Sequence, residues 1–75
     1  MMFESVANKS NLNHLIYYEN EHVRAVVAEV SFAQGKWHMH HTAATKILKD
    51  DAMQKLRVWI KERIDMFTVT RKMMQ

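Results

Sequence analysis

Cysteine and proline are absent from this chain, and glycine occurs once, at Gly35. Without cysteine there is no disulfide framework, no thiolate zinc site and no thiol nucleophile; the expected setting is a reducing cytoplasm. A single glycine excludes a glycine-rich phosphate loop and a Gly-x-Ser-x-Gly nucleophile turn. With no cluster of Pro or Gly there is no linker signal, so residues 1–75 read as one domain. No apolar run approaches the roughly 18 residues that cross a bilayer. The opening Met-Met-Phe-Glu-Ser also lacks the basic-then-apolar order of a secretion signal, and no membrane partner is expected.

The composition that remains is globular, with 48% hydrophobic and 25% charged residues. A chain of 75 residues is small, however. Such chains bury only about 60% of their extended surface and are marginal alone. Disulfides are excluded, so self-association into a homodimer is the expected compensation. Seven methionines suit a soft, adaptable apolar surface.

The net charge of +3 is unevenly spread. Residues 1–35 set Lys9 and Arg24 against Glu4, Glu19, Glu21 and Glu29, a balance of −2. Residues 36–75 set nine Lys and Arg against Asp50, Asp51, Glu62 and Asp65, a balance of +5. A basic second half points to an anionic partner, nucleic acid being the commonest.

The clearest strand runs from Val23 to Ala33, and Gln34-Gly35 follows as a two-residue turn. Lys36 to about Ala43 then returns. This register pairs Phe32 with Trp37, Val30 with Met39 and Ala28 with His41. It gathers Val26, Ala28, Val30, Phe32, Trp37 and Met39 on one face, and Glu29, Ser31, His38, His40 and Thr42 on the other. A slip of one residue would mix the two sets. Phe3 to Ala7 fits a short strand. Leu12 to Tyr18 reads as a strand with Leu12, His14, Ile16 and Tyr18 on one face, or as a helix capped by Ser10.

From Asp50 to Phe67 the period changes. Met53, Leu56, Ile60, Ile64 and Phe67 recur at helical spacing, and Asp50 or Asp51 is placed to cap the start. The stripe predicts one long amphipathic helix covering the hairpin's apolar face. Residues 44–49 are open between extending this helix backwards from a Thr45 cap and finishing the preceding strand. Thr68 to Lys72 is β-like and predicts a returning strand. The expected fold is α+β: a small antiparallel sheet of three to four strands with one helix on one face.

No catalytic set assembles from these elements, and an enzyme is not expected. His38 and His40 share a strand face, with Glu29 opposite His40. Two imidazoles and one carboxylate lack the further ligand and outer support that a metal site needs, so no metal or other cofactor is expected. Ser31 beside His38 has nothing to orient the imidazole or to form an oxyanion hole.

The helix shoulders carry more information. Lys55, Trp59 and Arg63 form one row, and Arg57 and Lys61 another; Arg71 and Lys72 prolong the basic surface. Cations meet phosphates, and the Trp59 indole is a candidate for stacking on an unpaired base. The same indole has a structural role open to it at the edge of the core. The expected function is a non-enzymatic nucleic-acid-binding regulator. RNA is favoured over DNA because no helix-turn-helix is recognisable. A second class fits the same composition: a protein-binding inhibitor that neutralises a larger enzyme such as a nuclease. An antitoxin or a viral counter-defence accessory protein would act in this way.

Overall fold

A computed structural model describes residues 2–75. Four strands come first: β1 (Met2–Ala7), β2 (His14–Glu19), β3 (Arg24–Ala33) and β4 (Lys36–His41). A 3-10 turn (Thr45–Ile47) leads into α1 (Asp50–Lys61) and α2 (Ile64–Met74). The strands form one antiparallel meander in the order β1-β2-β3-β4, so the fold is α+β with both helices after the sheet.

The β3–β4 hairpin has the register expected from the sequence. Phe32 faces Trp37, Val30 faces Met39 and Ala28 faces His41. Gln34 and Gly35 both adopt positive φ, at 56° and 76°. Two left-handed residues match the twist of the flanking strands and close the tightest kind of hairpin. The β2–β3 turn is built by Asn20, whose Oδ1 accepts from the backbone N–H of His22 and Val23.

Between β2 and β3 the register shifts. Ile16 faces Ala28 but Tyr17 faces Val26, leaving Val27 as the extra residue of a β-bulge. Val27 therefore joins Ala28 in the core, and both are fully buried. Val26, expected on the apolar face, is turned out of it and is only half-buried. β4 ends at His41, so the carbonyls of the bulge have no strand partner on that side. Two hydroxyls replace it: Thr42 Oγ1 donates to Val26 O, and Thr45 Oγ1 to Val27 O, both at 2.6 Å. Thr45 Oγ1 also accepts from Thr42 N at 2.7 Å. Residues 44–49 thus neither continue the strand nor extend the helix. They fold into a turn that ties the bulge to the start of α1.

The core lies on one side of the sheet. Ile16, Val27, Ala28 and Val30 meet Leu48, Ala52, Leu56, Ile60 and Phe67. Each Leu, Ile or Phe removed from water in this way contributes about 1.5–3 kcal/mol. The expected stripe is largely in place, with Leu56, Ile60 and Phe67 buried and Met53 and Ile64 half-buried. Asp50 and Asp51 lie within the first turn of α1 and suit its dipole. The N-cap itself is Lys49, with no side-chain cap bond, so the expected aspartate cap is replaced.

The single helix expected over 50–67 is two helices. At the junction Arg63 takes φ −113° and ψ 7°, outside helical values. Its N–H bonds Ile60 O at 2.9 Å, one residue short of the α pattern. Trp59 O, deprived of that donor, accepts from the Arg63 guanidinium at 3.1 Å. The side chain that breaks the ladder also satisfies the carbonyl it frees, so neither Pro nor Gly is needed. The strand expected over Thr68 to Lys72 is instead the second half of α2. Thr68 Oγ1 back-bonds Ile64 O and accepts from Trp37 Nε1, at 3.1 and 3.0 Å. Packing of Phe67 and Thr68 on the sheet overrides the β preference of Thr68, Val69 and Thr70.

Candidate nucleic-acid interface

The helical layer carries the charge. Residues 45–75 hold eight Lys and Arg against four acids, whereas the sheet holds most of the remaining glutamates. Lys55, Arg57, Lys61 and Lys72 are exposed, while Arg63 and Arg71 are half-buried. Among the described residues, Arg63 alone of these six has a carboxylate within 4.0 Å, that of Glu62 at 3.7 Å.

The six cations do not gather into one cluster. Helical geometry sets Lys55 on one flank of α1 and Arg57 and Lys61 on the other. Lys55 borders a recess of about 340 Å³ with Phe3, Gln54, Val58, Trp59 and Glu62. Arg57 and Lys61 border a groove of about 240 Å³, whose walls are Val30, Trp37, Met39, Ile60 and Ile64. Arg71 lies over the Phe32 ring at 4.9 Å, beside the β3–β4 turn. Lys72 follows it at the end of α2.

Trp59 is half-buried and already stacked. The Arg63 guanidinium sits 4.0 Å from the ring centroid, and the Phe3 ring centre lies 5.8 Å away. A cation over an indole is worth about 0.5–1 kcal/mol at such sites. A base approaching this ring meets Arg63 first.

The opposite face of the sheet is polar and internally paired. Arg24 lies 3.3 Å from both Glu4 and Glu19 and 4.3 Å above the Tyr17 ring centre. Glu29 Oε2 accepts from Asn13 Nδ2 at 2.7 Å. His40 Nε2 shares a 2.7 Å hydrogen bond with Ser31, and His38 Nε2 lies 3.1 Å from Ala33 O. No three His, Asp or Glu come together as a metal-ligand set among the described residues.

One titratable residue is placed quite differently from what histidine spacing alone indicates. His14 is buried, at 4% exposure, and its ring stacks on Phe67 with centres 4.2 Å apart. Trp37 closes the box edge-on at 5.6 Å. Its Nδ1 is buried without a partner, and burial lowers its pKa from the ordinary 6.5. Alternation along β2 puts His14 on the face of Ile16, which the sequence does show. The aromatic walls come from β4 and α2, which no local pattern shows.

Comparison of the chain with known protein families, curated proteins and solved structures finds no match.

Proposed function

We propose that this protein is a non-enzymatic nucleic-acid-binding regulator whose contact surface is the outer side of the helical layer. The carrying observation is the set of exposed cations, Lys55, Arg57, Lys61 and Lys72, with no carboxylate partner among the described residues. Arg63 and Arg71 border this surface and contribute charge while held over aromatic rings. Spread cations of this kind neutralise phosphates along a backbone and read little sequence. RNA is favoured over DNA as the ligand, since the sequence carries no recognisable helix-turn-helix. A homodimer is part of the proposal: Met66, Val69 and Met73 form an exposed apolar row along α2.

Fluorescence anisotropy with single- and double-stranded RNA and DNA tests this reading. Four phosphate contacts on a single strand give a log–log salt slope of about −2.8, or roughly 50-fold weaker binding between about 50 and 200 mM salt. The pair Lys55→Glu and Lys72→Glu should weaken binding by at least about tenfold. Absence of binding at low salt, or unchanged affinity in that double variant, refutes the proposal.

A second reading has its own support. A module that captures a larger protein and neutralises it needs a concave, partly apolar surface, and the groove beside β4 is one.

A further inference from the structure

β4 is an edge strand, since the sheet order ends with it. In a two-residue hairpin the pairs Ala33–Lys36, Ser31–His38 and Glu29–His40 are the hydrogen-bonded ones. Trp37, Met39 and His41 therefore turn their backbone N–H and C=O groups away from β3. These groups are a template for another strand. The side chains of Trp37 and Met39 point to the helical side, where they line the groove with Ile60 and Ile64. A strand added to β4 would send every second side chain into that groove.

Charge selects the occupant. β4 carries Lys36, His38, His40 and His41 and no Asp or Glu. Arg57 and Lys61 stand at the groove's rim, exposed and without acidic partners among the described residues. A second copy of β4 would bring no carboxylate to Lys36, Arg57 or Lys61. An acidic strand supplies one.

We propose that the β4 edge is a docking site for an extended segment of a partner protein in which apolar and acidic residues alternate. The apolar side chains enter the groove over Trp37, Met39 and Ile64. The carboxylates lie beside Lys36, His38 and His40, and any at the groove mouth meet Arg57 and Lys61. Main-chain bonds to Trp37, Met39 and His41 supply affinity, and the charges supply selectivity. The site deepens the protein-capture reading and does not depend on nucleic-acid binding.

The experiment is selection of a random short-peptide display library on the immobilised full chain. Enriched peptides are then synthesised and titrated by anisotropy. The expected set alternates Asp or Glu with Val, Ile or Leu. Of the two alternate sets of backbone nitrogens in a selected peptide, methylating one should weaken it by at least about tenfold and methylating the other much less, because only one set donates to the edge. The double variant Arg57→Glu, Lys61→Glu should weaken it as much. The double variant Lys55→Glu, Lys72→Glu should leave peptide affinity unchanged, which separates this site from the part of the nucleic-acid surface outside the groove; Arg57 and Lys61 belong to both. No enrichment, a basic or uniformly apolar set, or indifference to N-methylation overturns the proposal. So does a dimer, seen by sedimentation, that the selected peptides dissociate; it would assign the edge to a second copy.

Discussion

Replacing His14 with leucine is expected to stabilise this protein, and by more at low pH than at neutral pH. In the wild type the ring is buried at 4% exposure with Nδ1 unpaired. A buried polar atom without a partner costs about 1–3 kcal/mol. Leucine is close in volume and carries no polar atom. It forfeits the 4.2 Å stack on Phe67, and such aromatic pairs are worth about 0.5–1.5 kcal/mol. The balance is a gain of about 1 kcal/mol near pH 7.5, or roughly 4–8 °C in Tm for a domain of this size.

The pH dependence is the sharper test. Burial lowers the His14 pKa below the ordinary 6.5, so the unfolded chain takes up a proton where the folded chain resists it. The folded state then holds fewer protons, and stability falls as pH drops. The loss begins near 6.5, proceeds at up to about 1.4 kcal/mol per pH unit, and levels off below the folded pKa. Wild type and His14→Leu should therefore diverge by up to about another 1.4 kcal/mol between about pH 7.5 and 5.5. Urea denaturation at both pH values, with the two proteins compared pairwise, cancels the other histidines. A constant difference would mean that His14 titrates as freely as in the unfolded chain. A leucine variant less stable than wild type at both values would refute the argument from the orphaned nitrogen.

Four further outcomes follow from other parts of the fold. Thr45→Val should cost about 2–4 kcal/mol in chemical denaturation, because Val27 O and Thr42 N lose one shared hydroxyl partner, while Thr45→Ser restores most of the loss. Gln34→Asn should raise Tm by a few degrees, since Asn tolerates the φ of 56° better than Gln; Gly35→Ala, at φ 76°, should lower stability by about 1–2 kcal/mol even though nothing crowds the added methyl. Arg63→Ala should lower stability by about 1–2 kcal/mol and alter Trp59 fluorescence, since the ring loses its stacked cation and its carbonyl loses a donor.

The parts of this fold that were legible in the sequence are those written locally. Gln34-Gly35 between alternating runs fixes both turn and register, and the whole β3–β4 pairing follows. The bulge at Val27 is not local. It depends on Thr42 and Thr45, whose hydroxyls replace strand partners for two carbonyls after β4 has ended. Two threonines after a strand carry no sign of that use, and so Val26 takes the place of Val27 in any reading that keeps strict alternation. The end of the long helix is hidden for a related reason. The usual punctuation is Pro or Gly, and here an arginine's own guanidinium bonds the carbonyl that its N–H abandons. Beyond it, three β-branched residues read as a strand because the fixed points that hold them helical, His14 under Phe67 and Trp37 against Thr68, are distant in sequence.

Charge was legible for a topological reason. A meander uses up the first half of the chain in the sheet, and the remainder must cover one face of it. A polarity along the sequence thus becomes a polarity between layers, −1 over residues 1–41 and +4 over residues 45–75. The sequence could not show how the cations divide across α1. Burial of Leu56 and Ile60 fixes the rotation of the helix on the sheet. That rotation sends Lys55 towards β1, beside Phe3, and Arg57 and Lys61 towards β4, beside Met39. Two surfaces of the same sign thereby face different neighbours. One is open along the outside of the helices, where phosphates can be met in any order. The other is confined beside a free strand edge, where geometry admits an extended chain and sign admits an acidic one.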